Sequence, residues 1–349
     1  MSGVRVLAAG AMTSIQDLGR HGWRHLGVPA SGVLDPEAMQ IANRLVGNAV
    51  DAPVLETFDG GLHLRVEGGP IRLALAGSIT AERRGAGGTA PVAPWRSHLL
   101  AEGDELRLLA CTGARRCAIV AIAGIHVADH LGSASTYVRA GLGGLCGRNL
   151  EVGDLVPASA ADRRQGERRL ARPPEDGNDP IRIVAGPQDD HFTAAALARL
   201  TTEAYRVGIE ADRMGLRLAG PALEHRDAAS REIVSDATVP GSIQVPGNGQ
   251  PIVLLADGQT AGGYPKIATV ISADLAAIGT LRPGSTVRFA WVDVASAQAI
   301  VRVRAHQLRT LLDEIVGCGD EIAPEAVELQ GANLAGDAVN ALDPRTWSA

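Results

Sequence analysis

Of the 33 basic residues in this chain only one is lysine, Lys266, and it closes the run Gly262-Gly263-Tyr264-Pro265-Lys266. A lysine kept where arginine holds every other basic position marks a place that needs a compact ammonium. Such a group donates to a phosphoryl or carboxylate oxygen and changes protonation state when desolvated. The glycine pair admits a ligand close to the backbone, and its amides suit an anion. Tyr264 offers a hydroxyl, and Pro265 stiffens the presentation of Lys266. Upstream stand Asp257, Gln259 and Thr260; an extended strand through them puts Asp257 and Gln259 on one side. Arg213, in Asp212-Arg213-Met214-Gly215, and Gln244, in Gly241-Ser242-Ile243-Gln244-Val245-Pro246, complete the constellation. Lys266, Asp257 and Arg213 are the candidate catalytic groups, and Gln244, Gln259, Thr260, Gly262, Gly263 and Tyr264 the candidate substrate-binding ones. A plainer reading is a buried Asp257–Lys266 ion pair that only fixes a turn.

A second polar constellation runs from Thr13 to Gly22 and on to Asp35, with Gln16, Asp17, Arg20 and Asp35 as binding candidates on a surface loop. Familiar signatures are missing. There is no P-loop and no G-x-S-x-G elbow, and Gly141-Leu-Gly143-Gly144-Leu-Cys146-Gly147 has cysteine where a dinucleotide fingerprint needs its third glycine, so it reads as a tight loop. His126-Val-Ala-Asp129-His130, and His21 with His25, lack a helix to converge their side chains, and no metal site is assigned.

The elements that must position these groups are β-rich. The chain has 349 residues, 46% hydrophobic and 21% charged, with net charge -6, 42 glycines and very few aromatics. That composition suits a turn-rich fold of about two domains and offers little to a nucleic-acid backbone or its bases. Four cysteines without a C-x-x-C pair, and an N-terminus without an apolar signal core, predict a reduced cytoplasm. The longest apolar stretch, Cys117 to Ile125, is too short to cross a membrane. A helix is predicted from Asp35-Pro36 to Val46-Gly47, capped by Asp and ended by Gly. Short strands follow from Leu62 to Val156. Gly103, Gly153 and Gly284 each head a recurring turn read as a hairpin entry. The polar, arginine-heavy stretch at 161–180 reads as a solvated linker. The expected organisation is a β-rich domain with one early helix over 1–160 and a second domain over 181–316, with a tail at 317–349. The second domain holds a strand at Ile181-Arg-Ile-Val and helices near 190–204 and 295–315. The fold class is mainly β with some α.

Eight segments, in order, resemble the C-subunit family of 5-oxoprolinase, also called KipA-type or biotin-dependent carboxyltransferase proteins. They are Gln16-Asp17-Leu-Gly-Arg20, Gly27-Val-Pro-x-Ser-Gly-x-x-Asp35, Ala42-Asn43-x-Leu-Val-Gly-Asn48, Leu131-Gly-Ser-x-Ser-Thr136, Gly186-Pro-Gln188, Asp212-Arg-Met-Gly-Leu-Arg217, Gly241-Ser-Ile-Gln-Val-Pro246 and Gly262-Gly-Tyr-Pro-Lys266. Two departures stand out: relatives tend to have serine just before Asp212-Arg213, and glutamine at Thr280.

The resemblance implies cyclophilin-like β-barrel domains and an active cleft shared with a B-subunit-like (KipI-like) chain. It implies ATP, with Mg²⁺, as the energy source for opening 5-oxo-L-proline to L-glutamate together with the A and B subunits. Two alternatives accompany it: a carboxyltransferase half moving a carboxyl group from carboxybiotin to urea or a similar amide, and a non-enzymatic regulator binding a KipI-like kinase inhibitor. The only lysine lies between Pro265 and Ile267, without the methionine-flanked setting of a biotin carrier, so this chain is expected to carry no covalent biotin, and its neighbours are expected to be separate polypeptides.

Overall fold

The structure, a computed structural model, describes residues 2–174, 177 and 180–318. Two sheets dominate it. One is a nearly closed barrel and the other a half-barrel, the cyclophilin-like carboxyltransferase architecture. The first begins with two long antiparallel strands, Gly3–Gln16 and Val54–Glu67, paired from Gly3↔Glu67 to Gln16↔Val54 with register shifts in between. Such irregularities bend a strand and increase its twist. Bent in this way, Val54–Glu67 pairs at one end with Cys117–Ile122 and at the other with Glu105–Cys111, which curves the sheet around.

Strands Ile71–Ala76 and Cys117–Ile122 are buried along their whole length. Their alternate residues explain why. Leu73, Leu75, Val120 and Ile122 fill the barrel interior, whereas Ala74, Ala76, Ile119 and Ala121 face a second core outside it. A continuous apolar run is the expected mark of a strand covered on both faces. Helix α1 (Pro36–Val46) lies on that outer face, with Asp35 accepting from the Ala38 amide at 3.0 Å and Gly47 ending it, as its sequence predicts.

The second sheet has eight strands, with Lys266–Val270 between Ser242–Gln244 and Ile181–Ala185. Helix α2 (Ala194–Thr202) is shorter than the 190–204 expectation because Asp189–His191 forms a separate 3-10 turn and Thr193 caps the helix proper. After the short α3 (Leu275–Gly279), α4 (Val294–Asp313) starts at Asp293, whose side chain accepts from the Ser296 amide. One apolar core joins both halves: α1 residues Ile41 and Leu45 share a cluster with Ile243, Val253, Ile267 and Phe289.

Part of the stretch predicted to be a solvated linker is structured. Arg168–Leu170 forms a strand with Ile315–Gly317, and Arg72 donates to the carbonyls of Gln165 and Gly166 at 2.5 and 3.2 Å. Three residues with apolar Leu170 inside suffice for a strand when the partner comes from far along the chain, a pairing that local periodicity does not reveal. Of the predicted tail, residues 319–349 lie outside the described residues.

The three glycine turns share one device, though not a hairpin between neighbours. Gly103, Gly153 and Gly284 donate their amides to the carbonyls of Val66, Val6 and Val207, at 2.9, 2.9 and 2.7 Å. Each of those valines returns its own amide to the residue after the glycine, at 2.9, 2.8 and 2.9 Å. The turn thereby zips the strand that follows it onto a distant one: 105–111 onto 54–67, 155–157 onto 3–16, and 286–287 onto 205–211. All three glycines have φ near +90°. A Cβ on Gly284 would meet nothing within 4 Å, so Gly284→Ala isolates the backbone cost. It should destabilise the protein by roughly 1–2 kcal/mol, read as a lowered midpoint in urea with an unchanged slope.

Candidate active site

Lys266 opens its strand opposite Gln244 and is 2% exposed. Its ammonium does not reach Asp257. It donates to Oδ2 of Asp236 at 2.9 Å, and Gln188 Nε2 donates to the same oxygen at 3.1 Å while its Oε1 accepts the Lys266 amide at 3.1 Å. Gln188 thus ties the two charged groups together. The Lys266 hydrogen bond, with help from Gln188, holds the Asp236 carboxyl below its ordinary range. Asp236 is half exposed while its partner is buried, so the ammonium is a desolvated cation held from the solvent side by one displaceable carboxylate.

The glycine-rich segment arrives as a narrow ribbon, Asp236–Ala237 against Ala261–Gly262. The Thr238 amide donates to the Thr260 carbonyl at 3.1 Å, extending the pairing. Gln259 Nε2 donates to Gln244 Oε1 at 2.9 Å, and Gln244 Nε2 makes only a long 3.4 Å contact with the Tyr264 carbonyl. Gly262 is required by that packing: a Cβ there would sit 2.5 Å from Gln244 Nε2. Tyr264 is exposed, and the Gly263 carbonyl accepts from the Ile233 amide. Lys266, Gln244, Gln259, Thr260, Gly262, Gly263 and Tyr264 therefore come together, joined by Asp236 and Gln188.

Asp257 and Arg213 do not belong to that group. The strand Ile252–Leu254 ends before Asp257 and Gly258 turns back to Leu255, so the alternation that would have put Asp257 beside Gln259 is broken. Arg213 instead grips Asp257 with two nitrogens, at 3.0 and 3.2 Å. It also pairs with Glu56 of the first half and donates to the Gly32 carbonyl at 2.6 Å. Burial opposes the charge on Arg213, but the two carboxylates outweigh it and raise its pKa. This corrects the expected Asp257–Lys266 pair and separates both candidate catalytic residues from the Lys266 group: the triad Glu56–Arg213–Asp257 is a buried joint between the halves.

The Gln16 constellation is largely buried and densely hydrogen-bonded, not the surface loop expected. Asp17 accepts from Ser133 Oγ at 2.6 Å, Ser135 Oγ at 2.5 Å and the amides of Gly19 and Ala134 at 2.7 and 2.6 Å. Arg20, fully buried, donates to the His130 and Ser135 carbonyls at 3.0 and 2.7 Å. Gln16 bridges the Thr136 carbonyl and the Gly32 amide at 3.1 and 3.2 Å. Asp35 caps α1 and pairs with Arg115 at 3.6 Å. Among the described residues no three His, Cys, Asp or Glu side chains gather to hold a metal ion.

Glu56, Asp236 and Gln188 escaped the sequence reading as site residues. Glu56 left a signal: an acid inside the apolar run Val54-Leu55-Glu56-Thr57-Phe58 must find a cation when buried. Asp236 left none, since it sits in ordinary loop sequence. Two cavities, of about 590 and 440 Å³, lie between the halves, and Lys266 lines neither. Among the described residues no helix is long and apolar enough to cross a membrane.

Residues 26–291 match the family model described as carboxyltransferase domain, subdomain A and B. The chain is 36% identical over 307 residues to the C subunit of 5-oxoprolinase from Escherichia coli strain K12, covering 88% of this chain and 96% of that one. It is 33% identical over 315 residues to the protein of the same name from Haemophilus influenzae, covering 89% and 99%. Among solved structures, the Kluyveromyces lactis urea amidolyase superposes with a TM-score of 0.79 at 26% identity, over 90% of this chain and 21% of that far longer one.

Proposed function

Because the chain belongs to the C-subunit family of 5-oxoprolinase, with the paired A and B subdomains of the carboxyltransferase fold, it is part of a multi-subunit 5-oxoprolinase, and we propose that its partners are the A and B subunits and its reaction the ATP-driven opening of 5-oxo-L-proline to L-glutamate. The observation that carries the chemical part of this reading is the desolvated Lys266 ammonium, held by a half-exposed Asp236 beside a ribbon of glycines and glutamines.

A lactam is a poor electrophile because its nitrogen lone pair is delocalised into the carbonyl. Transfer of the γ-phosphoryl group of ATP to the lactam oxygen, with ADP leaving, makes the ring carbon open to water. Negative charge gathers on the phosphoryl and lactam oxygens, and a preorganised ammonium out of bulk water stabilises it far better than a solvated one. Lys266 serves that role in this proposal. The Gln244 amide, weakly engaged by the Tyr264 carbonyl, orients the lactam; Gln259 fixes Gln244, and Gly262 keeps the approach open. ATP and its Mg²⁺ enter as substrate. With both Asp257 oxygens on Arg213, we assign that residue no metal. The burial of Lys266 between Pro265 and Ile267 supports a chain without attached biotin.

The likeness to urea amidolyase favours a second reading, carboxyl transfer from a carboxybiotin carried by another protein. One experiment separates the two. Purified chain is added to an extract lacking only it, and glutamate formed from 5-oxoproline is measured with and without ATP and avidin. ATP-dependent, avidin-insensitive formation is the expected outcome. Avidin sensitivity transfers the assignment to carboxyl transfer, and no turnover with tight partner binding to a regulatory role.

A further inference from the structure

The loop that carries Asp17 and Arg20 also carries Arg24, in the short 3-10 turn Arg24–Leu26. Its guanidinium reaches across to the second half, where Nη2 donates to the Thr238 carbonyl at 2.8 Å and contacts the Gln259 carbonyl at 3.4 Å. These are the two chain segments that form the ribbon beside Lys266. Arg24 Nη1 is buried and has no hydrogen-bond partner, and Arg24 makes no ion pair among the described residues. Burial alone lowers its pKa, with no carboxylate to restore it. Nearby in the same loop, Arg20 is fully buried and its Nη1 is likewise without a partner.

A partly buried guanidinium with carbonyls on one side and an unused N–H on the other is costly unless something anionic completes it. Asp236, which holds Lys266, stands two residues before Thr238, about 7 Å along an extended chain. Two cations are thus spaced along one ribbon, one displaceable from its carboxylate and the other without a carboxylate. We propose that Arg24 binds the carboxylate of the substrate while Lys266 faces its amide oxygen, which makes Arg24 the residue that selects a lactam acid over a neutral amide. The assignment rests on the 5-oxoprolinase reading and adds substrate selectivity to it. A guanidinium suits this task because its planar fork matches a carboxylate.

Arg24 also ties the halves together, so loss of activity in a variant is not enough. The informative measurement is the ratio of two ligands in the assembled enzyme: 5-oxoproline, and 2-pyrrolidinone, the same lactam without the carboxylate, followed as substrate or competitive inhibitor. In Arg24→Met, apparent affinity for 5-oxoproline should fall on the order of 10²-fold, chiefly in KM, with 2-pyrrolidinone changed less than about threefold. Arg24→Lys, which keeps the charge, should recover part of the difference. An unchanged ratio, or equal losses on both ligands, overturns the assignment and leaves Arg24 a structural tie. A wild-type complex that does not turn over 5-oxoproline overturns the 5-oxoprolinase reading itself, and this inference with it.

Discussion

Lys266→Met, assembled with its partner subunits, should lose roughly 10²–10³-fold in kcat, the usual cost of removing one preorganised charge-stabilising group. Methionine has similar length and no charge, so it fills the same buried space. The group it leaves unpaired, Asp236, is half exposed and can be rehydrated. The fold should therefore tolerate the change, with a melting temperature within a few degrees of wild type on the order-of-magnitude scale for a domain this size. Lys266→Arg should also be poor, because a planar, delocalised fork does not reproduce the compact point charge that the ammonium places on Asp236 Oδ2. Steady-state kinetics alongside thermal melting decide the matter. Full activity in Lys266→Met would remove the centre of the proposed chemistry and leave this ion pair a structural one.

Arg213→Met should act in the opposite way, on stability first. It strands Glu56, which is completely buried, and Asp257, which is nearly so, without their shared cation. Breaking a buried pair from one side costs about 3–5 kcal/mol, or on the order of 10 °C in melting temperature. The deficit has a definite pH dependence. Burial pushes the Glu56 carboxyl above its ordinary value, and Arg213 is the leading influence that pulls it down. Without Arg213 the folded-state pKa of Glu56 rises further above the unfolded value. A carboxyl whose pKa is raised by folding favours the native state below its unfolded pKa and loses that contribution as pH climbs through the folded one. The gap between variant and wild type should thus be smallest near pH 5 and widen toward pH 8. Melting curves across that range check it, and Glu56→Gln added to Arg213→Met should recover part of the loss. A gap independent of pH would mean that packing, not charge, holds this joint.

Much of what was local could be read from the residues. Asp35-Pro36 and Gly47 fix helix α1 because caps act within one turn. The run to Lys266 stood out because the only lysine follows two glycines, and the residues of that run do gather around it. The partners of those residues were harder to see. Asp257 and Lys266 are nine positions apart and oppositely charged, yet each pairs elsewhere, with Arg213 and Asp236. Strand continuity, which would have aligned Asp257 with Gln259, fails at the turn through Gly258. Likewise Asp17 and Arg20 look exposed in sequence, and only the return of residues 130–136, over a hundred positions later, buries and hydrogen-bonds them. Burial of polar groups is a property of the assembled chain, and sequence spacing carries it only where an acid sits in an apolar run, as Glu56 does.

The apolar core outside the barrel draws α1 and the outer faces of two barrel strands together with the strands of the second sheet. Neither sheet owns that core. A cut through 161–180 would leave each fragment with a bare apolar face, and would strand Glu56 from the Arg213–Asp257 pair. Although its topology falls into two pieces, the molecule should gain and lose its structure as a single cooperative unit, in which a defect on one side is felt in full on the other.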